Sequence, residues 1–372
     1  MKKITLAATA LAAVAALALS GCSGGERGGD DGGATDAAGF AADSTIGVAL
    51  PDKTSENWVL AGGLFEEGLD AAGFKGDVQY APASNTVAEQ QNQISAMVTN
   101  GAKVIVIGAK DGKQLGTQLQ QAADAGVKII AYDRLIENTE NVDYYVAFDN
   151  FKVGQLQGQA LLEGLEARSG HAAPWNIELF SGSPDDANSA VFFNGAMEVL
   201  QPKIDDGTLV VASGQTDIAQ TATQGWEAEN AQSRMDSILT STYSSSDVDG
   251  VLSPNDNLAR AIITSAKQAG KDITKITVTG QDSEVESVKS IMAGEQYSTI
   301  NKDTTLLVEQ TIKMIQQLQK GEEADVNDTE QYDNGVKVVP AYLLDPVIVT
   351  KENAAEAYAN NPNLLEIVTA AQ

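Results

Sequence analysis

From residue 44 onward, short runs of β-branched and other apolar residues alternate with amphipathic stretches. The runs include 46–50, 104–107, 127–132, 144–148, 177–180, 209–211, 251–252 and 276–278. Their near-continuous apolar character predicts strands covered on both faces, as in parallel sheets. Between them, 87–99, 114–125, 153–166 and 258–269 carry apolar residues at helical spacing, and several stop at a glycine such as Gly101, Gly126 or Gly270, the usual helix terminator. A βαβα alternation of this kind predicts a doubly wound α/β architecture. Residues 44–372 exceed what one open sheet usually needs, so two such units are expected.

The start of the chain reads differently. Met1-Lys2-Lys3 is a positive segment, followed by an uncharged Ala/Leu-rich stretch to Leu19. That stretch is short for a membrane span but fits a secretory signal over residues 1–21. The only cysteine stands directly after it, in Leu19-Ser20-Gly21-Cys22. This resembles the lipobox of bacterial lipoproteins, which implies a lipidated Cys22 and anchoring to the outer face of the cell membrane. Residues 22–43 are rich in Gly and Asp with Phe40 as the one large apolar residue, and read as a flexible tether.

Charge and rare residues narrow the chemistry. The 372 residues carry 24 Lys+Arg against 51 Asp+Glu, a net charge of −27, which argues against nucleic acid as a partner. One Cys excludes an internal disulfide and a cysteine metal cluster. One His, His171, excludes a His-rich metal site and makes a His-dependent triad a poor expectation. The segment 325–330 has the acidic look of a calcium loop but carries Glu330 where that loop needs glycine. No metal, no cofactor and no catalytic residues are therefore expected.

Ligands of open α/β sheets sit outside the carboxyl ends of the strands. Polar residues cluster there throughout: residues 51–58 after the first strand, 108–112, 133–134, 149–150, 182–188, 254–257, 280–282 and 301–303. Turn chemistry alone favours Asp and Asn at such places, but the whole set predicts a dense hydrogen-bonding cleft with no nucleophile–base pair.

The order of these motifs resembles the type 1 periplasmic sugar-binding proteins that feed ABC importers, most of all the xylose-binding and multiple-monosaccharide-binding branch. The matching stretches include Ala131-Tyr132-Asp133-Arg134-Leu135, Phe148-Asp149-Asn150, Gly182-Ser183-Pro184-Asp185-Asp186, Ser253-Pro254-Asn255-Asp256, Gly280-Gln281-Asp282, residues 288–303 and residues 334–344. The resemblance implies two Rossmann-like lobes, each around a parallel sheet, joined by a three-strand hinge. It places 44–148 plus 283–326 in the N-terminal lobe and 149–282 plus 327–372 in the C-terminal lobe.

It also implies a monomeric receptor, not an enzyme, that holds one monosaccharide between the lobes and delivers it to the importer's permease and ATPase subunits. A sugar needs carboxylates, amides, cationic donors and an aromatic platform. The expected set is Asp133, Arg134, Asn188, Asp256 and Lys302, with Asp149, Asn150 and Asp282 near the crossings and Asp111 also matching. Trp58 and Trp226 are the expected stacking residues. Relatives often carry Arg before the first of these tryptophans where this chain has Asn57, and losing that fork of donors changes which hydroxyls or which anomer can be held. Xylose, glucose, galactose and arabinose lead the aldoses; ribose, inositol or an autoinducer-2-like furanosyl compound, or service as a sugar co-receptor in signalling, are the alternatives. A sugar-responsive transcription regulator would begin with a basic helix-turn-helix, and a sugar-modifying enzyme would show a catalytic motif; neither is present.

Overall fold

The computed structural model describes residues 39–53, 55–82 and 87–371; the signal and Cys22 lie outside the described residues. The first sheet is wholly parallel, in the order β11-β5-β4-β3-β1-β2. Its strands are β1 (Thr45–Leu50), β2 (Lys75–Tyr80), β3 (Val104–Ile107), β4 (Lys128–Tyr132), β5 (Tyr144–Phe148) and β11 (Ala341–Leu344). The apolar runs are explained by burial on two sides. Ile46, Val48, Val104, Val106, Ile130 and Val146 face one core, shared with helix α1 (Glu56–Ala71) and helix α10 (Thr304–Gln319). Ala49, Ile105, Ile107, Ile129, Ala131 and Tyr145 face the other, shared with α2 (Val87–Thr99) and α3 (Gly116–Asp124).

The second sheet runs β7-β6-β8-β9, also parallel. These strands are β6 (Trp175–Leu179), β7 (Leu209–Val211), β8 (Gly250–Leu252) and β9 (Thr277–Val278). One core under it comes from α4 (Asn150–Arg168) and α5 (Ala187–Asp205), with Ile218 of α6 (Ile218–Thr221) packed against it, and the other from α7 (Ala228–Ser241) and α8 (Asp256–Gln268). Helices α4 and α5 approach at two glycines: a Cβ on Gly154 would collide with the Phe192 carbonyl, and one on Gly195 with the Phe151 carbonyl. Any larger residue at either position would push α5, and the cleft residues it carries, away from α4.

Pairing and packing sort the segments after residue 282 differently from the expected boundaries. Helix α9 (Val285–Met292) packs with β12 (Val347–Thr350), α11 (Ala354–Ala357) and α12 (Pro362–Ala370) in one small core. Strand β10 (Ser298–Asn301) pairs antiparallel with β12 and contacts α4, so 283–301 belongs with the second lobe. Strand β11 is an edge of the first sheet, so 327–344 belongs with the first lobe. Each assignment follows from hydrogen bonding between strands far apart in the chain. The chain passes between the lobes after β5, between β10 and α10, and between β11 and β12.

Candidate functional site

Both sheets reverse strand order once, β1 against β3 in the first and β6 against β8 in the second. These switch points are where parallel sheets leave a crevice. Here the two crevices face each other across one cavity, and residues from the strand ends of both lobes line it.

In the first lobe, Asp52 follows β1 and Lys110 follows β3, and the two form a largely buried ion pair. Buried Gln90 braces the loop after β3: its amide donates to the Gly108 carbonyl at 2.8 Å, and its carbonyl accepts from the Lys110 N–H at 2.9 Å. Trp58, beside Asn57 in the first turn of α1, lies beneath the Arg134 guanidinium at 5.4 Å. Asp133, directly after β4, has φ 62°, and the cavity residues Trp226 (φ 56°) and Asp282 (φ 100°) share the left-handed region. That backbone is uncommon for residues other than glycine and concentrates at functional sites.

In the second lobe, Asp186 caps α5 and receives the Asn188 N–H at 3.0 Å. Its second oxygen is 3.0 Å from Arg134 Nε and accepts from Trp226 Nε1 at 3.2 Å. Asn188 donates to the Asp133 carbonyl at 2.7 Å, and Glu56 of the first lobe accepts the Val285 N–H at 3.2 Å. The lobes thus touch across the cleft. Lys302, on the crossing after β10, pairs with Asp282 at 2.9 Å and lies 5.5 Å from the Phe192 ring. Burial works against the charge on Lys302, but Asp282, Asp133 and Asp186 together outweigh it and raise its pKa. Burial also pushes the Asp133 carboxyl above the ordinary aspartate range, although Lys302 and Arg134 pull it down.

Of the expected residues, Asn57, Trp58, Asp133, Arg134, Asn188, Trp226, Asp282 and Lys302 line the cavity. Asp111, Asp149, Asn150 and Asp256 do not. Asp111 accepts from the Lys113 N–H and the Gln114 amide, as a turn residue does. Asp149 is the N-cap of α4, and Asn150 is buried beneath the first crossing. Asp256 is wholly buried behind the cleft, accepting from Gln296 Nε2, the Glu284 N–H and the Thr299 hydroxyl. Sequence reasoning passed over Asp52, Lys110, Asp186, Asn255, Asn257 and Gln281, which do line the cavity. The signal was present, since all six lie inside the polar strand-end clusters.

The Asp256 pocket has a consequence for stability. Burial raises its carboxyl pKa well above the aspartate range, with Glu284 and Asp282 adding to the effect. Burial likewise raises Glu284 despite Arg260. In the folded state these groups take up protons at a pH where the unfolded chain does not. Stability therefore grows as pH falls through their raised range and levels off below ordinary carboxylate values. The melting midpoint is expected to rise from about pH 8 to about pH 5, and Asp256→Asn to flatten that rise. A midpoint that falls steadily over this interval would contradict the assignment.

A family model described as periplasmic binding protein domain matches residues 46–323. The multiple sugar-binding periplasmic receptor ChvE of Rhizobium radiobacter is 51% identical over 318 residues, 84% of this chain and 89% of that protein. The D-xylose-binding periplasmic protein of Escherichia coli (strain K12) is 34% identical over 319 residues, 86% of this chain and 90% of that protein. Among solved structures, an ABC transporter solute-binding protein from Clostridium phytofermentans with bound β-D-glucose aligns with a TM-score of 0.81 at 41% identity. The alignment covers 87% of this chain and 100% of that one. With that match, and with two opposed switch points opening on one cavity, this chain belongs to the periplasmic binding protein family with the type 1 fold.

Proposed function

We propose that this protein is a receptor that captures a monosaccharide, an aldose such as xylose, glucose, galactose or arabinose, between its lobes and presents it to an ABC importer. The observation that carries the reading is the cavity's lining: the pairs Asp52–Lys110, Arg134–Asp186 and Asp282–Lys302, with Trp58 and Trp226 alongside. Each sugar hydroxyl is both donor and acceptor, so a ring of hydroxyls can satisfy carboxylates and cations together, while its C–H faces suit an indole. Gln281 adds a buried carbonyl oxygen with no hydrogen-bond partner among the described residues, an acceptor suited to a hydroxyl. The sugar-binding relatives and the glucose-bound neighbour support the same class of ligand.

The test is a thermal-shift scan of the purified protein against pentoses, hexoses, ribose and inositol. At 100-fold above Kd, binding adds about 2.7 kcal/mol to the folded state, which raises the midpoint by several degrees. A shift with an aldose supports the reading; a shift with ribose or inositol alone moves it to another polyol. No shift with any of them leaves the fold standing and removes this function.

The lipobox-like Leu19-Ser20-Gly21-Cys22 supports a lipid anchor on the outer face of the membrane. Cys22→Ser is expected to move essentially all of the protein from the membrane pellet to the soluble extracytoplasmic fraction. Retention in the pellet would refute the anchor.

A further inference from the structure

One buried hydroxyl touches a cleft residue, a residue of the opposite lobe and a crossing. Tyr145, on β5 beside the edge strand β11, is fully buried. Its hydroxyl is 2.7 Å from the Asp133 carbonyl and 3.3 Å from Asn188 Oδ1, and it accepts from Asn150 Nδ2 at 3.1 Å. A phenol has a single proton, and the shorter contact gives it to Asp133. Asn188 Nδ2 donates to the same carbonyl, so one acceptor is gripped from both lobes. The Tyr145 ring packs edge-on against Tyr332 at 4.9 Å, and the Tyr332 hydroxyl accepts the Asn150 N–H, where α4 begins. The Asp133 backbone held in this way is the one with φ 62°, and its N–H is tied to the Val146 carbonyl.

We infer that Tyr145 is a positioning residue for ligand capture. Its hydroxyl holds the Asp133 peptide so that Asp133 stands in the cavity and its carbonyl meets Asn188 of the closing lobe. The ring packs in the core of the first lobe and is not among the residues that line the cavity, so it acts through Asp133 and Asn188. Occupancy and closure are coupled through this hydrogen-bond hub. The inference rests on the sugar-capture reading.

Tyr145→Phe keeps the ring and its packing and removes only the hydroxyl. With D-glucose and D-xylose as probes, the variant is expected to bind about tenfold more weakly, the worth of one buried hydrogen bond, with the loss in the dissociation rate. Ligand-induced compaction measured by small-angle X-ray scattering should shrink as well. A merely structural hydroxyl would lower the melting midpoint and leave the dissociation rate alone. Asn188→Ala approaches the same hub from the other lobe, and the two effects should combine to less than their product. Wild-type affinity and dissociation rate in Tyr145→Phe, or effects that multiply in full, would overturn the role of the hydroxyl. A wild-type protein that binds neither sugar, nor any other on the panel, fails the capture reading first and this inference with it.

Discussion

Asp186→Ala is expected to weaken sugar binding by at least about 100-fold, because it leaves a buried cation without its partner. The Asp186 carboxylate serves Arg134 from the first lobe, and Trp226 and the Asn188 N–H from the second. Arg134 has little access to water, its side chain being 14% exposed. Loss of the carboxylate therefore releases the guanidinium from Trp58 and unfixes the Trp226 indole at once. Alanine also removes the N-cap of α5, worth about 1 kcal/mol. Asp186→Asn, which can still cap the helix, separates the two effects. The asparagine variant keeps the cap, so its midpoint should fall less than that of alanine, and it should still bind poorly in a calorimetric titration. Wild-type affinity in Asp186→Asn would remove Asp186 from the site. By contrast, Asp256→Ala, a natural first choice from the motif alone, is expected to act on stability, because Asp256 contacts Gln296, Glu284 and Thr299 and does not line the cavity.

The contrast between Asp186 and Asp256 marks how far the sequence could be read. Strands buried on both faces announce themselves, and β1, β3, β4 and β5 lie where their apolar runs place them. Strand β2 (KGDVQY) is an edge strand whose residues are all partly or fully exposed, and it carries no apolar run to read. Assigning β11 to the first sheet and β10 to the second requires knowing which distant strand each pairs with, and that information lies in packing.

The same limit holds within the site. The strand-end clusters were legible because polar residues break the apolar pattern there. Which member of a cluster faces the ligand depends on loop geometry at the scale of one residue. Lys110 faces the cavity while Asp111 closes a turn; Asn255 and Asn257 line it while Asp256 points into the protein. Asp133, Trp226 and Asp282 line the cavity from positive-φ backbone, and composition alone carries no trace of that at aspartate and tryptophan.

Replacing Lys302 tests the electrostatics of the whole cleft. Lys302→Met keeps a flexible stem against Phe192 and removes the charge that faces Asp282, Asp133 and Asp186. Breaking a buried pair from one side costs about 3–5 kcal/mol, and the variant is expected to lose that much stability near neutral pH and to lose sugar binding with it. The pH dependence identifies the cause. In the wild type, the raised pKa of Lys302 contributes stability throughout the range below ordinary lysine values, and loses it only as pH rises through the raised value. Without the ammonium, the Asp133 carboxyl loses the largest of the charges that hold its pKa down against burial, and that pKa rises further. It then binds its proton in the folded state before the unfolded chain does, so the deficit should shrink as pH falls. Denaturant midpoints at about pH 8 and about pH 5 should therefore lie farther apart in Lys302→Met than in the wild type. An equal deficit at both values would mean that the lysine acts through its packing on Phe192, and that the cleft carboxylates are held apart by something other than its charge.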